Sequence, residues 1–296
     1  MKKRIGLGFL FCLFFSLCGC GGKEKQAISL ENIVRESDTK ISCTFDGIER
    51  YFIFDLPEKT EGEPLVLMLH GYGGSPEGFR ATVHFEEQAN AMGYGVVYVA
   101  GATNPGDATS SNGWHSGISS TGNRDVEFLV SLAEYLQEEY TFDKERTYAV
   151  GFSNGAFMTH RLAMEAGDTF SAVVSVAGMM PARVWETRNR GNNVSVLQIS
   201  GEKDAVVPKH SDGSAKTAIN PAIEDVMEYW ANSNGLEFSE TYEVGKQSVL
   251  KKYGGRKRKE QVWHLFVKGG YHSWPDEESD GFDTNALILD FFEELK

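Results

Sequence analysis

Residues 148–156 read Tyr148-Ala149-Val150-Gly151-Phe152-Ser153-Asn154-Gly155-Ala156. An apolar, β-prone run enters Gly-x-Ser-x-Gly and leaves it with helical spacing. The two glycines permit a turn so tight that Ser153 projects alone beyond a strand end, ahead of a helix N-terminus. A strand, turn and helix in this order present a serine as a nucleophile. The motif is short, and a chain with 32 glycines among 296 residues can hold one by chance, so its surroundings decide the reading.

Upstream and downstream the chain alternates. Residues 41–45 and 51–56 are β-rich, with Asp46-Gly47 as the turn between them. Leu65-Val66-Leu67-Met68-Leu69 is continuously apolar, as a strand buried on both faces should be, and 95–100 repeats the pattern. Helices are predicted over 79–92, 124–140 and 154–165. Further strands are predicted at 147–150, 171–177, 194–200 and 262–267. Asn220-Pro221 opens another helix that Asn234-Gly235 closes. Leu287, Ile288, Phe291, Phe292 and Leu295 form the buried stripe of a C-terminal helix. The expected fold is α/β: one domain with a mostly parallel central sheet flanked by helices.

A serine hydroxyl needs a base within hydrogen-bond reach, and that base needs an acid to fix its tautomer and stabilise its charge. Asp204 is the candidate acid. It follows the strand Leu197-Gln198-Ile199-Ser200 and the glycine turn at Gly201, with Glu202 and Asp276 as substitutes. His272 is the candidate base, in Gly269-Gly270-Tyr271-His272-Ser273-Trp274-Pro275, after the last strand and before the last helix. The other six histidines fit less well. His84 and His160 fall within helices, His264 lies in a strand, and His210 follows Asp204 too closely. His70 and His115 precede the serine.

Acyl chemistry at Ser153 also needs two N–H donors for the oxyanion. Asn154 N–H, at the start of the helix, is the first. The second is expected in the loop His70-Gly71-Tyr72-Gly73-Gly74, from Tyr72 N–H with Gly71 as the alternative; His70 is expected to brace that loop. Trp114 and Trp274 are candidate substrate-binding walls, with Tyr72 and Tyr271 nearby in sequence context.

These stretches resemble the secreted serine esterases that group polyhydroxybutyrate depolymerases with feruloyl and acetylxylan esterases. The resemblance runs over most of 45–292. It rests on His70-Gly71-Tyr72-Gly73-Gly74-Ser75, Asn123-Arg124-Asp125-Val126-Glu127-Phe128, the elbow at Ser153, Phe170-Ser171-Ala172-Val173, and Gly270-Tyr271-His272-Ser273-Trp274-Pro275. It implies the α/β-hydrolase fold, a triad of Ser153, Asp204 and His272, and no metal or other cofactor. Many family members carry a cysteine in the oxyanion loop and a Trp-Cys-Cys near the segment matching Gly113-Trp114-His115. Here Tyr72 and His115 stand instead, so disulfide bracing is lost and a reshaped cleft is expected. No appended carbohydrate- or polyester-binding module is seen in these 296 residues.

The N-terminus carries its own signal. Met1-Lys2-Lys3-Arg4 is basic, residues 5–17 are apolar, and Leu17-Cys18-Gly19-Cys20 resembles a bacterial lipobox with Cys20 as the lipidated residue. The expected organisation is a signal peptide over 1–19, a lipidated tether over 20–37 and a catalytic domain over 38–296, exported and either membrane-anchored or secreted. Cys43 would then be the one thiol left in the exported body, buried on the strand face shared by Ile41 and Phe45. Removing residues 1–19 takes away three cations and leaves 26 basic against 42 acidic side chains, a net charge of −16. That excess argues against nucleic-acid partners and against electrostatic adhesion to anionic lipid, so the acyl group is the expected membrane link. The basic segment around Gly254-Gly255 reads as a solvated hairpin tip.

The expected partner is an ester substrate, drawn from feruloyl or acetyl esters of plant polysaccharide or from hydroxyalkanoate oligoesters. A peptidase or acyltransferase on the same fold remains open, as does a non-catalytic ligand-binding surface lipoprotein.

Overall fold

The computed structural model describes residues 29–188, 193–207, 221–256 and 258–296. The segment expected as a signal peptide, Cys20, His210 and Asn220 therefore lie outside the described residues. In chain order the elements begin with β1 (Glu31–Arg35), β2 (Lys40–Phe45), β3 (Ile48–Asp55), β4 (Leu65–Leu69), α1 (Pro76–Val83) and α2 (Phe85–Ala91). There follow β5 (Gly95–Val99), the two-residue strands β6 (Ala102–Thr103) and β7 (Asn112–Gly113), α3 (Asp125–Tyr140), β8 (Thr147–Phe152) and α4 (Asn154–Glu165). Next come β9 (Ala172–Val176), α5 (Ala182–Glu186), β10 (Ser195–Gly201), α6 (Ile223–Ser233) and β11 (Phe238–Val244). The chain closes with β12 (Ser248–Gly254), β13 (Val262–Val267), α7 (Glu277–Asp280) and α8 (Thr284–Glu293).

The main sheet runs β1-β2-β3-β5-β4-β8-β9-β10-β13-β12-β11. From β5 to β13 every neighbour is parallel, whereas both margins are antiparallel. The fold is the α/β-hydrolase fold, with a large central sheet between two helical layers.

Period-two alternation sorts the strand side chains into two cores. Leu65, Leu67, Leu69, Ala149, Val173 and Val196 face α3, α4 and α6, where Phe128, Leu132, Met158, Leu162 and Trp230 complete the layer. Val66, Met68, Tyr148, Val150, Val174 and Leu197 face α1, α2 and α8, packing with Phe79, Phe85, Ile288 and Phe292. Each Val, Leu, Ile, Met or Phe among them that is fully removed from water contributes about 1.5–3 kcal/mol. The central strands are apolar on both faces because both faces are covered.

Several predicted elements shift. The segment expected as the end of a tether is a strand: β1 pairs antiparallel with β2, so the sheet begins at Glu31. The single helix predicted over 79–92 is two. His84 takes a left-handed conformation (φ 48°) that ends α1, and the break re-aims Phe85 and Ala89 onto the sheet. Strand β11 was not predicted; its residues are mostly exposed and lack the apolar alternation of a half-buried strand. Helix α6 starts at Ile223, with Ala222 at its N-cap. Asp46 and Gly47 both have positive φ, the geometry of a tight hairpin turn, between β2 and β3. Cys43 is buried beside Ile41 and Phe45, and burial pushes its thiol up to about 11. No helix among the described residues is long and apolar enough to cross a membrane.

A buried polar staple joins α4 to β10. His160 Nε2 lies 2.9 Å from Gln198 Oε1, and Gln198 Nε2 donates to the Gly178 carbonyl at 2.8 Å. The amide orientation makes Oε1 the acceptor, so Nε2 carries a proton, and burial favours the neutral imidazole. Complete burial pushes His160 down to about 4. Below its ordinary value of 6.5 the unfolded chain takes up a proton that the folded one refuses. Stability is therefore fully present above about pH 6.5 and lost as pH falls toward 4, by up to about 3 kcal/mol. Urea unfolding of wild type and His160→Gln at pH 7 and pH 4.5 is expected to show a steeper loss in wild type, with the difference between the two curves shrinking at acid pH.

Candidate active site

Parallel strands put all their C-terminal ends at one edge of the sheet. The loops after β4, β8, β10 and β13 therefore meet there, and they carry His70–Ser75, Ser153, Asp204 and His272. Ser153 has φ 52° and ψ −115°, a sparsely populated backbone region that costs about 1–3 kcal/mol and must be held by its surroundings. Two glycines supply the room. A Cβ on Gly151 would sit 2.3 Å from the Gly155 carbonyl carbon, and one on Gly155 would sit 2.0 Å from the Leu69 carbonyl oxygen. The Ser153 N–H is anchored on the Val176 carbonyl at 3.0 Å.

His272 Nε2 lies 2.9 Å from Ser153 Oγ, and His272 Nδ1 lies 2.8 Å from Asp204 Oδ2. An ionised carboxylate only accepts, so Nδ1–H donates to Asp204 and the Nε2 lone pair faces the serine hydroxyl. Asp204 is buried, and its second oxygen accepts the Val206 and Val207 N–H groups at 2.9 and 2.8 Å. The acid and base loops are laced together. Lys203 N–H donates to Gly270 O at 2.7 Å, and a Cβ on Gly201 would meet the Tyr271 and Gly270 carbonyls at 2.6 and 2.7 Å. The substitute acids are engaged elsewhere: Glu202 binds Lys268 Nζ at 2.5 Å and Gly269 N–H at 3.0 Å, and Asp276 caps α7.

In the loop after β4, Gly101 N–H donates to His70 Nε2 at 3.0 Å, so His70 Nδ1–H donates to Gly71 O at 2.7 Å. Burial lowers the pKa of this imidazole and keeps it neutral. The loop's Gly73 and Gly74 N–H groups are consumed by Asn112 O and Gly71 O. Gly71 itself packs against the elbow, where an added Cβ would lie 3.2 Å from the Phe152 ring and 3.4 Å from Ser153 Cβ. Asn154 opens α4, so its N–H is one of the first-turn donors without an intrahelical acceptor. The half-exposed Tyr72 ring lies across Gly113, and its hydroxyl donates to Asp107 at 2.5 Å and contacts Thr109.

Beside this loop opens a cleft of about 890 Å³, walled by Phe79, Val83, Phe152, Trp274 and Pro275, with Asp276, Glu277 and Asp283 along its margin. Trp274 is held by Nε1–H to Asn285 Oδ1 at 3.2 Å and edge-on against Phe79 at 5.7 Å. Asn285 is fixed in turn on the Val83 carbonyl at 2.7 Å. Trp114 does not form a wall. It is 3% exposed in the first core, its indole N–H donates to His70 O at 2.9 Å, and the expectation that it touches substrate is corrected. Tyr271 is exposed beside Lys203. Sequence reasoning also missed the Asn154 side chain, which binds Trp114, and Phe152, whose ring lies 5.3 Å from His272. The alternation around Phe152 and the amide beside Ser153 are visible in sequence, but their partners are not.

Among the described residues, one group has ligand atoms spaced for a metal: His84, Glu86 and Glu87. It lies at the α1–α2 break, and Arg80 stands 3.3 Å from Glu86, opposing a cation there.

Over 243 residues the chain is 30% identical to "Putative esterase NocK" of Nocardia uniformis subsp. tsuyamanensis, covering 74% of this chain and 67% of that protein. This chain belongs to the α/β-hydrolase esterase family. The esterase is also 28% identical over 251 residues to "Probable feruloyl esterase C" of Aspergillus niger, covering 80% and 82% of the two chains. Two further relatives are matched over smaller parts: 20% of a bifunctional acetylxylan esterase/xylanase of Neocallimastix patriciarum and 35% of a feruloyl esterase B of Talaromyces funiculosus. Residues 83–193 match the prolyl oligopeptidase family of peptidases. Among solved structures, an acetyl xylan esterase from Aspergillus awamori superimposes with a TM-score of 0.60 at 13% identity, over 83% of this chain and 94% of that one.

If the esterase seats an aromatic acyl group in this cleft, Trp274→Ala should raise KM for methyl ferulate about tenfold, the loss of one aromatic contact of about 1.4 kcal/mol. Turnover of p-nitrophenyl acetate, whose acyl group carries no ring, should stay within about threefold. Steady-state kinetics on both esters checks it.

Proposed function

We propose that this esterase hydrolyses carboxylic esters through an acyl-enzyme on Ser153. The observation that carries the reading is the continuous hydrogen-bond chain from Ser153 Oγ through His272 to Asp204. His272 Nε2 takes the hydroxyl proton as Oγ attacks the ester carbon, and the C=O electron pair moves onto oxygen. Asn154 N–H and Tyr72 N–H receive that oxyanion, each donor contributing on the order of 10²–10³ in rate. Collapse expels the alcohol, which takes the proton from His272. Water then enters, His272 removes its proton, and the second collapse releases the acid and restores Ser153. Asp204 stabilises the imidazolium without being protonated.

The apolar, aromatic cleft supports an uncharged or aromatic acyl group, with feruloyl or acetyl esters of plant polysaccharide and hydroxyalkanoate oligoesters as the substrate classes. Its carboxylate margin disfavours anionic esters. The match of 83–193 to the prolyl oligopeptidase family favours peptidase action as a second reading. Paired esters and p-nitroanilides separate the two.

For wild type, turnover of p-nitrophenyl acetate and methyl ferulate is expected, together with a loss of at least about a thousandfold in Ser153→Ala. An inert wild type, or an equally active variant, sinks the reading. Hydrolysis of acyl p-nitroanilides at a comparable rate would favour the peptidase.

The N-terminal sequence supports export with a lipid on Cys20, leaving the domain outside the cytoplasm. Metabolic labelling with an alkyne fatty acid in a bacterial host should tag wild type and leave Cys20→Ser untagged and released from the membrane fraction.

A further inference from the structure

The two oxyanion donors stand on separate elements, Asn154 at the start of α4 and Tyr72 in the loop after β4. We propose that Trp114 is the positioning residue that fixes their separation. This rests on the serine-esterase reading above.

Trp114 grips both elements. Its backbone N–H donates to Asn154 Oδ1 at 2.7 Å, and its carbonyl accepts Asn154 Nδ2–H at 3.3 Å. A backbone amide donates only through N–H and accepts only through C=O, so this two-point clamp fixes the orientation of the Asn154 amide. The remaining Nδ2 proton is directed to Ser116 Oγ at 3.2 Å. On the other side, the Trp114 indole N–H holds the His70 carbonyl at 2.9 Å, immediately before Gly71 and Tyr72. The His70 ring lies 5.4 Å from the indole.

The clamp is itself anchored. His115 N–H donates to Asp125 Oδ2 at 2.6 Å, and the other Asp125 oxygen pairs with Arg50 at 2.5 Å. Both members of that ion pair are buried, so Trp114 is held from behind by groups that lose several kcal/mol if separated. Burial keeps Trp114 away from substrate; it acts through the donors it holds.

The test compares full-length wild type, Trp114→Phe, Asn154→Ala and Ser153→Ala on methyl benzoate and methyl thionobenzoate. In the second ester C=S replaces C=O, and sulfur profits less from N–H donors placed for oxygen. Each of Trp114→Phe and Asn154→Ala is expected to lower kcat on the oxo ester about 10–100-fold with KM within about threefold. The oxo-to-thiono preference should fall in parallel, and a variant combining Trp114→Phe with Asn154→Ala should lose less than the product of the single losses. A lowered kcat with an unchanged oxo-to-thiono ratio would mean a merely structural role and overturn the proposal, as would an unchanged kcat. Should Trp114→Phe fail to fold, Asn154→Ala, altered on a half-buried side chain, decides by the same ratio. Turnover in Ser153→Ala comparable to wild type would remove the serine reading and this proposal together. An inactive Ser153→Ala with an unmoved ratio in Asn154→Ala would remove the proposal alone.

Discussion

The first turn of α4 and the end of β4 approach so closely that no side chain fits between them. Gly155 faces the Leu69 carbonyl with no space for a Cβ, and Gly151 faces the Gly155 backbone in the same way. Everything at the site inherits its position from that contact. It holds Ser153 in a strained conformation, brings the elbow against Gly71, and places the N-terminus of α4 beside the loop that follows β4. The strain is borne by a hydrogen bond to Val176 and by two packed layers, so the serine is aimed before any substrate arrives.

Around this contact, three histidines of one chemical kind are put to different use by their partners. His272 has a carboxylate holding one nitrogen and a hydroxyl facing the other, which directs its Nε2 lone pair at Ser153. His70 accepts from one backbone amide and donates to the next carbonyl, so it sets loop shape and has no free nitrogen for proton transfer. His160 is sealed on the buried side of the elbow helix and binds Gln198 in the neutral state. Solvent access and the identity of the second partner separate the three roles.

Much of this was legible in the chain. Strand ends are marked by apolar runs, and parallel order brings the residues after them to one edge, so Ser153, Asp204 and His272 could be picked from their places in that order. Choosing Asp204 over Glu202 rested on position, and the structure shows its physical basis: Glu202 turns outward to Lys268. Trp114 shows the limit. Composition marks an indole near the site but does not say which way it faces, and here its N–H is spent on a backbone carbonyl. His84 breaks a helix whose apolar spacing looked continuous, because a single left-handed residue leaves no periodic trace. Strand β11 is mostly exposed, with Glu240 interrupting the apolar alternation of Phe238, Tyr242 and Val244, and it pairs along its length with β12, which residue type does not encode.

The central sheet divides the apolar interior into two layers that do not mix, and the site draws on both. Ser153 leads into a helix buried in one layer, while His272 leads toward α8, buried in the other. Their hydrogen bond is thus a seam joining two separately packed halves. Loosening either layer acts on that seam from one side. Catalytic competence is in this sense as durable as the weaker layer, whatever the strength of its neighbour.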